Sequence, residues 1–477
     1  MKPIETKTGL VLALVALITG CAVGPNYKQP QTSVASSFAN GPTNATAADT
    51  AALATWWKRF NDPKLDALVE QAITYNHDLR VASANLREAR ALRRFTTFDL
   101  APTVQADASY DKRLLSKSAA LPGTPRDKRQ LELFDTGFDA NWELDLFGRV
   151  RRSVEAANAQ VAVAEADRLD VFVSVTAEVA RNYLELRGEQ NQLAVARKNA
   201  EVQKETLQIT EDRLRGGRGT DFDVSRSVSL LNLTLSMIPP LEAGIQKAIH
   251  RLAVLTGQQP TALTADLSVP TTLPNVTPLF ALDSPEALLR RRPDIRVAER
   301  SLAATSARIG IATADLFPRV SFVGSIGLQA DNFAGLGQSG ADRWNFGPRI
   351  TWAALDLGRV LSRIKAADAR AEASLAIYER TVLLALEEAE NALVDFGREQ
   401  SRQRFLETSA QASQKAADLA HQRFEGGVTD FLSVLDAERT LLEAQDRLAA
   451  SQTRTATAYV AAYKALGGGL PMKESGQ

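Results

Sequence analysis

Phe134-Asp135-Thr136-Gly137-Phe138-Asp139-Ala140-Asn141-Trp142-Glu143-Leu144-Asp145-Leu146 puts apolar or small side chains at every even position and Asp, Asn, Glu or Gly at every odd one. A period of two is that of an extended strand whose faces meet different surroundings. With Phe147 this strand covers about 134–147, and three more segments alternate likewise, at about 103–111, 319–329 and 343–355. A half-buried sheet in a soluble protein shows the same alternation. So does a strand with lipid on one side and water on the other, for which about 9–11 tilted residues suffice to cross a bilayer. Four strands cannot close a barrel, whose usual minimum is about eight. On the second reading the chain must associate, giving eight strands as a dimer or twelve as a trimer. The polar face would then line a lumen with Asp107, Asp111, Asp135, Asp139, Glu143 and Asp145 against Arg319, Arg343 and Arg349, a net −3 per chain that mildly favours cations.

Working outward, the strand proves to be one half of a duplication. Trp142-Glu143-Leu144-Asp145-Leu146-Phe147-Gly148-Arg149 has a counterpart in Trp352-Ala353-Ala354-Leu355-Asp356-Leu357-Gly358-Arg359, and Gly217 and Gly427 each follow their tryptophan by 75 residues. Between each Trp motif and its glycines lies a Pro-free stretch, Arg149 to Gly216 and Arg359 to Gly426, with apolar or small residues in steps of three and four in the second. Such spacing predicts helical rods of roughly 100 Å at 1.5 Å per residue. Shorter helical segments flank them at about 64–100, 221–256, 284–317 and 430–466, with a kink or break expected at Pro239-Pro240. Gly216-Gly217 and Gly426-Gly427 read as helix-to-helix turns. A Pro-rich stretch from Pro260 to Pro285 carries no sustained period and reads as a linker. The expected organisation is a leader at 1–20, an N-terminal segment at 21–60, a first repeat at 61–260, a linker at 261–283, a second repeat at 284–466 and a tail at 467–477.

Fifty-six basic and 56 acidic residues in 477 give zero formal charge, which offers nothing to nucleic acid. One Cys and three His exclude a disulfide and a Cys-based zinc cluster, and no phosphate loop, nucleophile elbow or cofactor motif is present; no enzyme, metal or cofactor is expected. The apolar run Leu10 to Ile18, preceded by Lys2 and Lys7, is a secretory signal too short to span a bilayer. It ends in Leu17-Ile18-Thr19-Gly20-Cys21, which resembles a bacterial lipobox and implies lipidation of Cys21. Ala22, in the place where Asp would retain such a lipoprotein, favours the outer membrane. The connection between the first two strands carries Lys112, Arg113, Lys117, Arg126, Lys128 and Arg129 against Asp127 and Glu132, and reads either as a loop facing anionic lipopolysaccharide or as a plain solvated loop.

Cys21 to Tyr27, Trp56-Trp57 with Phe60-Asn61-Asp62-Pro63-Lys64-Leu65, Trp142 to Arg149, Pro239-Pro240-Leu241-Glu242, Leu252 to Gly257 and Arg291-Arg292-Pro293-Asp294-Ile295 follow in an order that resembles the outer-membrane factors of tripartite efflux pumps, the TolC-like lipoproteins. The resemblance implies a mainly α fold with transmembrane β: a homotrimeric 12-stranded barrel in the outer membrane, four strands per chain, continued by a long periplasmic α-helical barrel. It implies a passive exit duct for drugs or other toxic compounds, a periplasmic adaptor and a proton-driven inner-membrane transporter as partners, and outer-membrane lipid around the barrel. It also implies a periplasmic gate with Asp436 as a ring and Asp223 in the similar place of the first copy, while Asp221 and Asp430 read as helix caps or dipole partners. Adaptor-docking tips would be Leu214, Arg215, Gly216 and Gly217 together with Phe424, Gly426, Gly427, Val428 and Thr429. Some relatives lock the closed state with an aromatic and an arginine at this turn; here Phe424 and Thr429 stand in those places, which departs from the pattern. The rival reading is a lipid-anchored periplasmic coiled-coil adaptor, which would need one hairpin beside a compact β domain.

Overall fold

The computed structural model describes residues 22–41, 55–275 and 284–468; the leader, Cys21, residues 276–283 of the linker and the last nine residues lie outside them. The chain forms two compact units. One comprises the residues up to Gln31 with Asn85–Glu165 and Val297–Glu379; the other comprises Thr32–Ala84, Ala166–Arg296 and the residues from Arg380 on.

The first unit holds four strands, β1 (Thr103–Leu114), β2 (Gln130–Leu144), β3 (Arg319–Ala330) and β4 (Asp342–Thr351), in one antiparallel meander of that order. Pairing links the two halves of the duplication through β2 and β3. β2 ends at Leu144 and not at Phe147. The Asp145 carboxylate accepts from the amides of Val150 and Arg151 at 3.0 and 2.9 Å, and Gly148 turns the chain at φ +82 into a helix. β4 ends at Thr351 and not at Leu355 because its one partner runs out there, Arg319 standing opposite Thr351. At the other end β1 and β2 pair as far as Leu114 and Gln130, beyond the expected 111 and 134.

The helices are α1 (Pro63–Tyr75), α2 (His77–Phe98), α3 (Arg149–Arg215), α4 (Asp221–Leu255), α5 (Thr264–Leu267), α6 (Pro285–Arg291), α7 (Pro293–Ala314), α8 (Leu357–Glu425) and α9 (Phe431–Ala465). The rods α3 and α8 run 67 and 69 residues without a break. The expected helix at 64–100 is two helices, as is that at 284–317. Asn76 separates the first pair: its side chain accepts from the amides of Asp78 and Leu79 and donates to the Leu255 carbonyl at 2.9 Å. Arg292 separates the second pair, held extended by the following proline ring. No break occurs at Pro239-Pro240; α4 continues through both.

In the second unit the Trp56-to-Leu65 motif is a packing device. Trp56 stacks on Tyr463 with ring centroids 5.7 Å apart, and Phe60 meets Tyr459 edge-on at 5.4 Å. Asp62 caps α1 through the Lys64 amide at 2.9 Å and accepts from the Tyr183 hydroxyl at 2.6 Å; burial and that bond push the Tyr183 pKa up to about 12. Arg292 reaches the Ala465 carbonyl at the end of α9 at 2.8 Å, Asp294 at 2.7 Å and Glu388 of α8 at 2.6 Å. One buried guanidinium thus ties three helices. Arg292→Ala removes bonds to charged groups worth about 1.5–3 kcal/mol each, so the detergent-extracted protein is expected to unfold at a clearly lower denaturant midpoint. Arg292→Lys should recover only part of the loss.

Candidate functional site

Cross-strand partners in all three ladders are odd with odd and even with even, so the four strands share two continuous faces. The even face carries Val104, Tyr110, Phe138, Phe322, Ile326, Trp344, Phe346 and Ile350, every one exposed, Trp344 to 70%. Each would gain about 1.5–3 kcal/mol by leaving water. Tyr110, Phe134 and Phe333 cluster near one end of the sheet, with centroids 4.6 and 5.9 Å apart. Near the other end, Trp142 and Trp352 donate their indole N–H groups to the carbonyls of Leu100 and Leu316, both at 3.0 Å. These two duplicated indoles are apolar outward with their polar atom satisfied, as at a membrane interface. Among the described residues neither outer edge, on β1 or on β4, has a partner strand.

The odd face holds Asp107, Asp111, Asp135, Asp139, Glu143, Arg319, Arg343 and Arg349 as the alternation requires. It departs from expectation at two places. Asp145 lies beyond the strand, where its carboxylate caps α3, and Arg113, brought in by the longer β1, joins the face. Five carboxylates against four arginines leave −1 per chain, not −3. Gly137 stands opposite Gly327, and a Cβ on Gly327 would lie 2.3 Å from the Thr136 carbonyl oxygen. Across this bare spot Arg343 pairs with Asp135, and it also donates to Ser325 at 3.2 Å. Glu143 is taken by Arg149 at 2.7 Å and Arg319 by Asp315. At the loop end of the ladder Lys112 of β1 pairs with Glu132 of β2 at 2.6 Å, and in the loop Arg129 is buried, donating to the Leu115 carbonyl at 2.9 Å. Lys117, Arg126 and Lys128 are left as its exposed cations.

The two helix turns are built alike. Arg218 N–H bonds the Arg213 carbonyl and Val428 N–H bonds the Arg423 carbonyl, both at 2.8 Å, around Gly217 and Gly427 at φ +68 and +70. These are Schellman closures, in which only glycine sits without strain. Thr220 caps α4 in a capping box with Asp223, and Asp430 caps α9 through the Ser433 amide at 3.1 Å. Asp221 is therefore not the cap of its helix. The Thr-Asp-Phe match between the copies is one residue out of structural register, since Thr220 and Asp430 occupy the same place. Asp223 has its carboxylate bound to the Thr220 amide and hydroxyl at 3.2 and 2.7 Å.

Of the tip residues, Arg215, Gly216, Gly217, Gly426, Gly427 and Val428 are exposed, while Leu214 and Thr429 are half-buried. Phe424 differs from expectation. It is buried, 6% exposed, with Phe431, Val434 and Leu435, and the Arg213 guanidinium lies 3.7 Å from its ring centroid and donates to its carbonyl at 3.2 Å. The arginine on this ring comes from the other rod, α3, a partner no local motif could reveal. Asp436 is exposed and pairs with Arg439 one turn along at 2.8 Å. Two residues on, Glu438 is 4% exposed; it accepts from Thr206 of α3 at 2.7 Å and from His421 of α8 at 2.9 Å. Sequence reading missed it, although 431, 434, 435, 438, 441 and 442 form one buried stripe with Glu438 at its centre.

At the other end of the described chain, the residues after Cys21 are pinned within the first unit. Val23 N–H bonds the Phe147 carbonyl at 3.1 Å, and Arg152 donates to the Val23 and Gly24 carbonyls and to Asn26 at 3.1, 3.2 and 2.7 Å. Ala22 lies so close to Gly148 that a Cβ there would be 2.5 Å from its Cα. Tyr27 donates to Glu299, and burial first, then that bond, hold its hydroxyl protonated.

The even face generates a direct test. A charge at a lipid-facing mid-strand position costs about 2–4 kcal/mol, so Phe346→Arg should abolish recovery of assembled protein from the outer-membrane fraction. Asn345→Arg, next to it on the odd face, should leave recovery near normal.

Residues 68–258 and 284–468 match the model of the outer membrane efflux protein family. The chain is 30% identical over 474 residues to nodulation protein T of Rhizobium leguminosarum bv. trifolii, covering 96% of this chain and 97% of that protein. It is 30% identical to the toluene efflux pump outer membrane protein TtgI of Pseudomonas putida, covering 98% and 99%. Among solved structures, the outer-membrane channel OprN superposes with a TM-score of 0.88 at 45% identity, covering 94% of this chain and 99% of that one. The open state of the Neisseria gonorrhoeae MtrE outer membrane channel gives 0.80 at 28%, covering 94% and 98%. The chain belongs to the outer membrane efflux protein family.

Proposed function

We propose that three copies of this chain close their sheets edge to edge into a 12-stranded outer-membrane barrel, and that their rods form the periplasmic duct of a tripartite efflux system. The observation that carries the reading is the uncovered even face bounded by two unpaired edges. Apolar surface of that extent needs lipid, and free edges of 12 and 10 residues need partner strands. A soluble coiled-coil adaptor has no use for such a sheet. The exposed apolar side chains of α4, among them Phe222, Leu233 and Leu235, suit burial against neighbouring copies.

Each part then has its work. The odd face lines a water-filled lumen with net charge −1 per chain, wide and weakly cation-favouring, so that it passes varied small molecules without recognising them. Asp436, exposed on α9, forms the ring at the periplasmic constriction; Asp223, engaged as a capping residue, contributes less. The exposed glycine turns with Arg215 and Val428, flanked by Leu214 and Thr429, dock the helical tips of a periplasmic adaptor. Phe424 supports that surface from beneath. An inner-membrane transporter, proton-driven, supplies the energy, and the duct itself is passive. Cys21 is lipidated: the pinning of Ala22 and Val23 beside Gly148 and Phe147, just below the strand end, supports an anchor held close to the membrane. Lys117, Arg126 and Lys128 are the cations free to face the outer leaflet.

Purified protein in planar bilayers is expected to give single-channel conductance blocked by multivalent cations from the periplasmic side. Asp436→Ala should relieve that block, and Asp223→Ala should change it far less. Unaltered block in Asp436→Ala would remove the ring. For the anchor, metabolic labelling with palmitate should mark the wild type and not Cys21→Ser.

A further inference from the structure

We propose that Glu438, clamped between Thr206 of α3 and His421 of α8, is a pH-responsive positioning residue that ties helix α9 to both rods, and that its release frees the gate helix to move. The proposal rests on the channel reading above and assigns to residues outside the tip and the Asp436 ring the work of keeping the gate helix in place.

Three helices meet at one carboxylate. Glu438 Oε1 accepts both the Thr206 hydroxyl, at 2.7 Å, and His421 Nε2, at 2.9 Å. Its second oxygen, Oε2, is buried without a hydrogen-bond partner. A carboxylate so placed is under-satisfied, and its burial is tolerable only while a cation stands against it. The charged groups facing His421 are Glu438 from α9 and Glu425 and Asp418 from its own helix, while α3 brings only the neutral Thr206 hydroxyl. All the charges around the imidazole are negative.

The bond to Glu438 is the main cause that raises the His421 pKa above its ordinary value, against the opposing effect of burial. A group whose folded pKa is raised contributes its stabilisation below that pKa and loses it as pH rises through it. Below the window an imidazolium faces the carboxylate and α9 is tied to both rods. Above it a neutral imidazole leaves the buried charge with neutral donors only, and the packing of α9 against the rods loses its advantage. Asp436 lies two residues away on the same helix, so a shift of α9 at Glu438 moves the ring as well. One turn or so further along, Gln203 of α3 has both amide atoms buried without partners, and Asn199, Gln445 and Gln414 form a chain at 2.9 and 3.1 Å. Beside the apolar stripe of α9 the packing thus includes polar side chains that can re-pair as the helix moves.

The test compares open probability in planar bilayers for the wild type, His421→Gln and Glu438→Gln, from about pH 5 to about pH 8, the range in which imidazoles titrate. Wild-type opening should rise with pH, by at most about tenfold per unit for each His421 that must lose its proton, one per chain. His421→Gln keeps an amide donor but no titration, and should be flat. Glu438→Gln has no charge to leave unpaired, and its opening should stay level across the range. A His421→Gln profile as steep as the wild type overturns the latch, as does a Glu438→Gln profile that rises with pH as the wild type does. If Glu438→Gln fails to assemble, the His421→Gln slope decides alone. Absence of conductance in the wild type at every pH would instead sink the channel reading itself, and the latch with it.

Discussion

Every other feature of the molecule depends on a sheet whose apolar face none of the described residues covers. Apart from Lys112, Gln130, Glu132 and Asp342 at the loop end, the even positions of four strands present an apolar surface rich in aromatic side chains, and the odd positions present carboxylates and arginines. No fold of one chain satisfies both demands in water. A bilayer outside and water inside do so, provided the backbone groups at the two edges find partners. Closure by further copies is thus a requirement of the hydrogen-bond ledger as much as of the hydrophobic effect. It also accounts for the bare Gly137 and Gly327 pair, over which Arg343 crosses β3 to reach Asp135.

The helical part is governed by how helices end. Four of them close with a glycine in the left-handed region, Gly217, Gly257, Gly427 and Gly467, each with the same long backbone bond reaching back five residues. Regular ends let the two halves be built alike while their interiors diverge. In the first copy Leu214 and the Thr220–Asp223 box make a polar, half-exposed turn; in the second, Phe424 is sealed under Phe431 and capped by Arg213. The two turns are alike in backbone and unlike in what lies beneath. That asymmetry gives the second hairpin the firmer tip and the helix with the exposed Asp436.

Much of this was legible in sequence, because the signals are periodic or local. Alternation gave the four strands and the sharing of faces, Trp and Gly spacing gave the duplication, and Pro-free stretches gave the rods. Strand ends were misjudged where a cap competes with the ladder, as at Asp145, or where the neighbouring strand stops, as opposite Thr351. The motif Arg291-Arg292-Pro293, read as part of one helical segment at 284–317, hid a helix break and a three-way tie that depend on residues 96 and 173 positions away, Glu388 and Ala465. Phe424 beside two glycines looked like an exposed tip, since its cover comes from Arg213 and from α9. Glu438 was legible in principle, as a charge in an apolar stripe; the eye passed to Asp436, which the stripe leaves outside.

The central claim is that one face of the sheet meets lipid and the other meets water. Single cysteines introduced in turn at positions 343 to 350, in protein reconstituted into vesicles and spin-labelled, report this by their accessibility to oxygen and to a water-soluble nickel chelate. The account predicts strict alternation, with 344, 346, 348 and 350 reached by oxygen from the bilayer and 343, 345, 347 and 349 reached by nickel from the lumen. Equal accessibility of both sets to nickel would contradict it, since the strands would then form a sheet with water on both sides.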